Sequence, residues 1–252
     1  MKPVYRWLGL VVAAVLALQL FFVVRIAAMA VLDPQSTAFE RSEAWRVLTE
    51  PGPFHWRQQW VPYAQISDNL KRAVIASEDD GFSNHDGVDW DALEKAWQKN
   101  AKAEALAAKV QATQKPGAAP GKVTRAIKPP KVVGGSTITQ QLAKNLLLSG
   151  ERTLLRKGQE FVLTLLLEAL LDKERILEIY LNSVEWGDGV FGAEAAAQRY
   201  FGKPAARLGS LEAARLAVML PRPKYFEKLP NSSYIAGRAN VISRRMADAE
   251  LP

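Results

Sequence analysis

The chain has 252 residues, of which 48% are hydrophobic, enough for one sizeable domain and an appendage. It contains no cysteine, which excludes disulfides, thiol nucleophiles and cysteine metal sites, and its two histidines argue against a histidine-rich metal centre. The net charge of +7 is compatible with nucleic acid, acidic lipid headgroups or a phosphorylated substrate, and does not choose among them.

The first predicted element is a long apolar helix. Residues 7–24 carry no charge, and Gln19 is their only clearly polar side chain. At 1.5 Å per residue this run spans about 27 Å, close to the roughly 30 Å core of a bilayer. Because Lys2 and Arg6 precede it, the positive-inside rule predicts a cytoplasmic N-terminus, with the rest of the chain outside the cytoplasm.

This segment has two interpretations. Residues 28–30, Ala-Met-Ala, resemble a signal-peptide cleavage site, but the apolar run is longer than a usual signal-peptide core. We therefore favour an uncleaved anchor over residues 1–33, followed by a domain over residues 34–252. The aromatic residues that follow suit either a membrane interface or core packing: Trp45, Phe54, Trp56, Trp60 and Tyr63.

An acidic stretch ends the next predicted helix. Residues 67–77 have apolar side chains at helical spacing, and Glu78-Asp79-Asp80-Gly81 follows. Carboxylates at a helix C-terminus face the negative end of the dipole, and crowded like charges raise a pKa, which suits a general base. The alternative is a solvated helix end and a turn. A solvated turn does not require Phe82 or His85, so these residues favour a site.

A basic insert follows. Asp89 is a candidate cap for a helix with Trp90, Leu93 and Trp97 on one face, and residues 98–133 are then rich in Lys, Ala, Pro and Gly. From residue 98 to 131 there are seven Lys and one Arg against one Glu, so this segment carries the charge excess of the whole chain. We predict a flexible insert that is solvated or touches anionic headgroups, and no nucleic-acid partner.

The segment from residue 134 to 147 predicts a turn and a capped helix. Two glycines precede Ser136, the predicted N-cap, and apolar residues follow at i, i+4 and i+8. Gln140, Gln141 and Lys144 then project from the other side. A helix start with hydroxyls, amides and a lysine suits a sugar or a phosphate, whereas the alternative is a capped surface helix.

Residues 152–171 predict a long helix, mostly apolar in its second half. Arg156 and Glu160 are i, i+4 neighbours that could pair on a surface. However, Glu160 lies where the helix becomes apolar, and basic groups beside it suggest a site that faces phosphate. Further helices, with no alternating strand runs, make the predicted fold mainly α: 173–182, 193–201 and 233–248.

The acidic, basic and amide residues of these helices narrow the class of reaction. Two separated acidic sites, Glu78 and Glu160, are joined by helices that carry Gln, Lys and Arg. Paired carboxylates at a distance are what glycosidic-bond chemistry uses, in hydrolysis or in transfer. Cations next to one of them suggest an anionic leaving group.

The chain resembles the peptidoglycan glycosyltransferases of glycosyltransferase family 51, over about Val61 to Tyr225. Its motifs occur in family order: Glu78-Asp79 with Phe82, His85 and Gly87; Gly134 to Asn145; Arg156-Lys157 with Glu160; Ile176 to Asn182; and Gly189-Val190 through Tyr200-Phe201-Gly202-Lys203. The basic insert between the first two motifs departs from the family pattern. The chain leaves no room for a transpeptidase domain, so we expect the monofunctional biosynthetic type.

The resemblance implies a mainly helical, lysozyme-like fold with a membrane-associated subdomain, in the bacterial inner membrane. The implied reaction polymerises lipid II: the acceptor GlcNAc 4-hydroxyl attacks C1 of the lipid-linked donor chain, undecaprenyl pyrophosphate leaves, and a β-1,4 bond forms. Implied partners are lipid II, the growing lipid-linked chain, membrane lipids and other cell-wall synthesis or division proteins. Mg²⁺ or Mn²⁺ at the donor pyrophosphate is chemically reasonable, although the sequence contains no dedicated ligand cluster.

By the same resemblance, Glu78 is the general base and Glu160 a second catalytic carboxylate near the donor pyrophosphate or the acceptor. The residues expected to neutralise the leaving group are Lys144, Arg152, Arg156 and Lys157. The remaining expected substrate-binding residues are Asp79, Phe82, His85, Ser136, Thr137, Gln140, Gln141, Asn145 and Asn182.

Two rival functions stay open at this point. A lytic enzyme on the same fold class would use water, or the sugar's own hydroxyl, in place of an acceptor sugar, but finished glycan offers no pyrophosphate for the cations to meet. A membrane-anchored scaffold without catalysis would retain its function when Glu78 is changed to Gln.

Overall fold

The structure, a computed structural model, describes residues 3–51, 54–113, 135–151 and 153–252, with the backbone alone for residues 110–113. The described chain is mainly α-helical, which confirms the predicted fold class. Contacts divide it into two units, one of Met1–Val88 with Thr137–Pro252 and one of Asp89–Ser136.

The helices, in chain order, are α1 (Pro3–Ala28), α2 (Ala38–Thr49), α3 (Asp68–Glu78), α4 (Trp90–Thr113), α5 (Ile138–Leu147), α6 (Leu154–Leu170), α7 (Lys173–Ser183), α8 (Ala193–Phe201), α9 (Ser210–Met219), α10 (Pro223–Phe226) and α11 (Ser233–Arg245). The strands are β1 (Arg57–Gln58), β2 (Glu185–Gly187) and β3 (Val190–Phe191). Of these elements, α4 belongs to the smaller unit.

Helix α1 has the length and composition of a single-pass membrane anchor, with a mean hydropathy of 2.6. Its C-terminal end also belongs to the core of the larger unit, because Phe22, Ile26 and Met29 are buried there. Gln19 and Gln159 exchange side-chain hydrogen bonds of 3.1 and 3.3 Å, which join α1 to α6.

The core of the larger unit is built from the predicted apolar stripes. Helix α3 packs against α9 and α11, and α5 packs against α6 and α7. Ser67 caps α3 by accepting a bond from the Asn69 N–H, and the α5 residues Ile138, Leu142 and Leu146 are fully buried. This packing fixes the C-terminus of α3 and the N-terminus of α5, which carry the first two motifs.

A small sheet, which the sequence did not predict, lies in the larger unit. Strand β3 is central, parallel to β1 and antiparallel to β2. Gly189, at φ +66°, lies in the turn between β2 and β3, and a Cβ there would stand 2.2 Å from the His55 carbonyl oxygen. Strands of two or three residues are too short for an alternating pattern, which explains why they were not predicted.

The N-cap of α5 is Thr137, so the prediction of Ser136 was wrong by one residue. Thr137 Oγ1 accepts from the Gln140 N–H, and Gln140 Oε1 accepts from the Thr137 N–H, which makes a capping box. A capping box with Ser136 as the N-cap would need Gln or Glu three residues later, and that position is Thr139. Ser136 is exposed and belongs to the smaller unit.

In the smaller unit, Asp89 caps α4 by accepting a 2.8 Å bond from the Ala92 N–H, as predicted. The helix continues to Thr113, whereas we predicted a flexible insert from residue 98. Alanine, lysine and glutamine are good helix formers, which explains the extension. The rest of the predicted insert, residues 114–133, lies outside the described residues.

Candidate active site

Glu78 is the last residue of α3, half-buried, with hydrogen bonds to both carboxylate oxygens. Gln141 Nε2 donates to Oε2 at 3.1 Å, and Ser77 Oγ donates to Oε1 at 3.4 Å. Burial is the main cause of a raised pKa for Glu78; the charge of Asp79 adds to it, and the bonds from Gln141 and Ser77 oppose it. A carboxylate with a raised pKa is suited to accept a proton.

Tyr180 fixes the orientation of the Gln141 amide. The Tyr180 hydroxyl is buried and donates to Gln141 Oε1 at 3.0 Å. Burial, followed by the charges of Glu78 and Asp79, raises the pKa of Tyr180, so it stays protonated. With Oε1 occupied, the amide nitrogen of Gln141 faces Glu78. Tyr180 was not among the predicted site residues; the signal in the sequence was a hydroxyl among aliphatic residues, which needs a buried partner.

Asp79 supports the junction of two helices, while its predicted contact with substrate stays a prediction. Its buried carboxylate accepts from His85 Nε2 at 2.8 Å and from the Ile138 N–H at 2.9 Å. The Gly87 N–H donates to His85 Nδ1 at 3.1 Å, so the imidazole proton lies on Nε2. Asp79 therefore ties the end of α3 to the start of α5 and sets the spacing between Glu78 and Gln141.

Gly87 completes this junction. It adopts φ +82°, and a Cβ there would stand 2.7 Å from Thr164 Cγ2 and 2.8 Å from Glu168 Cγ, so a side chain would collide with α6. Its carbonyl accepts a 2.6 Å bond from Thr137 Oγ1. Thr137 thus serves both the capping box and this turn, and we assign it a structural role.

Phe82 is fully buried, and its predicted contact with substrate stays a prediction. Lys173 Nζ lies 4.6 Å from the centre of its ring, donates to the His85 carbonyl at 2.5 Å and pairs with Glu168 at 2.9 Å. Sequence reasoning missed Lys173 and Glu168, because a lysine at a helix start and a glutamate in a long helix are ordinary surface features.

A second cluster surrounds Glu160 in the first half of α6. Glu160 is 3% exposed; Arg156 Nη1 lies 3.0 Å from its Oε2, and Lys157 pairs with its Oε1. Arg156 Nε is buried and has no hydrogen-bond partner among the described residues. Both oxygens of Glu160 are thus committed to cations, which it holds in place.

Lys144 faces the same cluster from α5. Within the described ranges no hydrogen bond or ion pair involves its ammonium group, and its side chain reaches solvent. The surrounding protein lowers the pKa of Lys144, by partial burial first; Glu160 opposes this, and Arg156 and Lys157 add to it. Three cations therefore converge where one buried carboxylate balances them incompletely, an arrangement that favours an anionic ligand.

One turn of α5 links the two clusters. Gln141 and Lys144 are about 4.5 Å apart along the helix axis; one bonds to Glu78 and the other faces Glu160, Arg156 and Lys157. The candidate base, Glu78, therefore lies near a candidate anion site formed by the cations around Glu160.

Several predicted site residues lie elsewhere. Asn182 is fully buried and its amide is bonded to the backbone of Val61 and Glu178. Gln140 is committed to the capping box, although it stays half-buried, and Asn145 is half-buried near the end of α5. Arg152 lies outside the described residues.

In the described part of the chain, the acidic group with metal-ligand spacing is Glu43, Glu185 and Asp188, whose oxygens lie within 4.8 Å of one another. It contains no predicted site residue. Arg46 and Lys224 already form ion pairs with it, so the group is a salt-bridge network between α2, α10 and the sheet. We predicted no dedicated cluster of metal ligands at the candidate active site. The group of Glu43, Glu185 and Asp188 contains none of the residues of that site.

Comparison with known proteins places the chain in a family. The family model described as transglycosylase, whose domain is lysozyme-like and helical, matches residues 46–109 and 114–247. The chain is 53% identical to a protein of Burkholderia thailandensis and 52% identical to one of Burkholderia pseudomallei, each alignment covering 100% of this chain and 90% of the relative. A Burkholderia orbicola protein is 53% identical over 94% of this chain and 86% of its own length. All three are named biosynthetic peptidoglycan transglycosylase. With the family model and these relatives spanning both clusters, the chain belongs to the transglycosylase family.

Proposed function

We propose that this enzyme is a biosynthetic peptidoglycan transglycosylase that polymerises lipid II at the site formed by Glu78, Gln141 and the cations around Glu160. The observation that carries the proposal is the position of α5, which brings a half-buried carboxylate of raised pKa next to cations that lack a full set of partners. Family membership and the relatives' names support glycan polymerisation.

In the proposed reaction, Glu78 accepts the proton of the acceptor 4-hydroxyl while that oxygen bonds to C1 of the donor sugar. The bond from C1 to the pyrophosphate oxygen breaks, and its electron pair leaves with undecaprenyl pyrophosphate. Attack from the opposite face inverts an α-linked donor to a β-1,4 product without an enzyme nucleophile. The hydrogen bond from Gln141 orients the base toward the acceptor.

The leaving group would lie against Lys144, Arg156 and Lys157. Fixed cations stabilise charge that develops on a departing pyrophosphate without reorganising at the moment of reaction. In this proposal Glu160 is a positioning residue, because both its oxygens already bind Arg156 and Lys157. Arg152, although outside the described residues, stays a proposed member of this set. Mg²⁺ or Mn²⁺ would supplement these cations by binding the pyrophosphate oxygens.

The proposed location is the bacterial inner membrane, with α1 as a single-pass anchor, the N-terminus in the cytoplasm and the catalytic unit in the periplasm. The length and apolar surface of α1 support an anchor, and Lys2 and Arg6, which precede its uncharged run, support this orientation. Lipid II and the growing lipid-linked chain would reach the site from the membrane.

A lytic enzyme is the nearest alternative on this fold. It would cut finished glycan strands, which carry no pyrophosphate and give Lys144, Arg156 and Lys157 no ligand. The cation cluster therefore favours transfer from a lipid pyrophosphate over cleavage.

The first test is polymerisation of lipid II by the purified full-length protein, with products resolved by size. We expect Glu78→Gln to lower the rate by about 10²–10⁴-fold, since the amide keeps the shape of the side chain and loses its basicity. Its unfolding temperature at neutral pH should be no lower than that of the unchanged protein, because ionising a buried carboxyl of raised pKa costs folding free energy above that pKa.

Glu104→Gln is the matched control, since Glu104 is exposed on α4 and belongs to the smaller unit. It should polymerise at the normal rate. Near-normal polymerisation by folded Glu78→Gln would remove Glu78 from the mechanism. Release of fragments from intact peptidoglycan, without polymer from lipid II, would replace the synthase by a lytic enzyme.

A further inference from the structure

A cavity of about 240 Å³ lies at the C-terminal end of α1. Its polar lining comes from Arg25, Asp33, Gln35 and Ser36, and its apolar lining includes Ala28, Met29 and Leu32. The volume is below the roughly 300–1,000 Å³ of clefts that enclose drug-sized ligands, so it suits a headgroup and not a whole lipid. It contains none of the residues assigned above to catalysis.

Arg25 gives this cavity its charge. It is half-buried and has no hydrogen bond or ion pair among residues 3–51, 54–113, 135–151 and 153–252. Arg41 lies close enough for its like charge to act on Arg25, and the hydrogen bonds of Arg41 go to the uncharged oxygens of Ser36, at 3.1 Å each. A half-buried arginine beside a second one is unfavourable without an anion, because both charges repel and Arg25 has lost part of its hydration.

The one carboxylate in the cavity wall, Asp33, is paired with a cation other than Arg25, although that cation also pairs with Glu178 at 3.0 Å. Asp33 pairs with Arg175 at 2.8 Å, and the same guanidinium donates from Nε to the Met29 carbonyl at 2.7 Å. These bonds fix both the end of α1 and the turn that follows it, while Met29 is buried in the core. The cavity is therefore held on rigid parts of the fold, and Arg25 remains available to a ligand.

The position of Arg25 along α1 indicates which kind of anion would suit the cavity. Arg25 directly follows the uncharged run of residues 7–24, about 27 Å from Trp7 along the helix, which is close to the roughly 30 Å hydrocarbon thickness. A residue at that depth meets the phosphate groups of the lipids. The apolar wall of the cavity would suit the glycerol and upper acyl region of such a lipid, while a free anion would gain nothing from it.

We propose that this cavity binds the phosphate group of an anionic phospholipid, with Arg25 as its principal ligand and Arg41 and Ser36 beside it. The lipid would complete the charge balance at the junction between anchor and catalytic unit. The inference rests on the proposed membrane anchorage, but it concerns lipid binding and does not depend on polymerisation.

The test is thermal unfolding of the full-length protein in neutral detergent micelles, titrated with short-chain phosphatidylglycerol. Short-chain phosphatidylcholine and inorganic phosphate serve as the comparison ligands. We expect phosphatidylglycerol to raise the unfolding temperature saturably, since a ligand that binds only the folded state stabilises it. Phosphatidylcholine and inorganic phosphate should give much smaller shifts at equal concentration.

Arg25→Gln should raise the half-maximal phosphatidylglycerol concentration by roughly tenfold or more, the usual loss for a hydrogen bond to a charged group. Arg41→Gln should weaken binding less, and Arg25→Lys should retain part of it. The matched control is Arg238→Gln, because Arg238 is exposed on α11 and should leave the titration unchanged.

Three results would overturn the proposal. Equal shifts from both lipids would remove the preference for anionic headgroups, and an equal shift from inorganic phosphate would mark a free-anion site. An unchanged titration for Arg25→Gln would show that Arg25 does not bind the lipid. If that variant does not fold, unchanged titrations for both Arg41→Gln and Arg25→Lys would show the same. Loss of polymerisation alone would leave lipid binding intact, so the two proposals fail separately.

Discussion

At Glu78, burial and hydrogen bonding act on one carboxylate in opposite directions. Burial raises its pKa, and the bond from Gln141 lowers it by stabilising the ionised form. The balance keeps a partly desolvated base available for the acceptor hydroxyl. Gln141 is thus a tuning residue as well as a candidate sugar contact, and the two roles predict different pH profiles.

We expect Gln141→Leu to move the acid limb of the pH profile of kcat/KM to higher pH. Removing the bond that lowers the pKa of Glu78 raises that pKa further, so less of the base is ionised at a given pH. Activity should therefore recover as the pH rises, which Glu78→Gln cannot do. Tyr180→Phe, which removes the donor that orients Gln141, should give a smaller shift in the same direction.

A pH series of initial polymerisation rates at low lipid II concentration measures this limb. A Gln141→Leu profile parallel to the unchanged protein, lowered by the same factor at every pH, would show that Gln141 binds substrate and does not tune the base.

The sequence was a good guide to this residue-scale site where charge and pattern coincide. Glu78, Gln141, Lys144 and the pair of Arg156 with Glu160 all gave a signal, from a helix end, an amide pair and a charge at a buried border. Tyr180 gave little, because its role depends on α7 packing against α5, which periodicity does not specify. Phe82 shows a limit of the sequence pattern: its place beside charged residues suggested a substrate contact, and the pattern did not predict that its side chain is buried in the core.

At the scale of elements, α1 and α6 are joined by an amide pair. Gln19, the polar residue of the apolar run, exchanges hydrogen bonds with Gln159, which directly precedes Glu160. In an apolar environment each amide needs a partner, so the pair fixes the rotation of α6 against the anchor. That rotation orients Arg156 and Lys157 on the same helix.

We expect Gln19→Leu and Gln159→Leu each to lower kcat/KM, and the double variant to be little worse than either single one. The coupling should be about 1 kcal/mol, within the range for hydrogen bonds between membrane helices. Leu18→Ala on the exposed side of α1 is the control and should be neutral. Strictly additive effects in the double-mutant cycle would mean that the amides act independently.

Asn182 performs a comparable role between α7 and the segment that ends at Val61. Its amide accepts from the Val61 N–H and donates to the Val61 carbonyl, both at 2.9 Å, in a fully buried position. Asn182, in the fourth motif, therefore has a structural partner in the Val61 backbone, whereas the resemblance implied a contact with substrate. The sequence could not distinguish these roles, because a helical asparagine looks the same in either.

We expect Asn182→Ala to lower the free energy of unfolding by at least about 2 kcal/mol, since both backbone groups of Val61 lose their buried partner. The specific activity of the folded fraction should change little. Denaturant unfolding and an active-fraction assay at low temperature measure the two effects. A large loss of activity with unchanged stability would return Asn182 to the substrate site.

At the scale of the whole molecule, the sequence indicated an anchor followed by a domain, with a boundary near residue 33. Helix α1 also contributes to the domain, because Phe22 and Ile26, with Met29 just after the helix, are buried in the same core as the helices of the candidate site. Hydropathy could not separate these roles, since an apolar residue suits a bilayer and a protein core equally. Helix α1 is thus part of the core of the larger unit as well as a candidate membrane anchor.

This overlap predicts how truncations behave. A chain that begins at residue 21 keeps the three buried side chains, whereas one that begins at residue 30 loses them; neither retains a membrane span. Burying an apolar side chain contributes about 1.5–3 kcal/mol, so the shorter chain should be less stable by several kcal/mol. In the full-length protein, Ile26→Ala should cost about 2–5 kcal/mol while the anchor stays intact. Thermal unfolding of all three proteins in one detergent compares them; equal unfolding temperatures for the two truncations would mean that α1 anchors the enzyme without stabilising it.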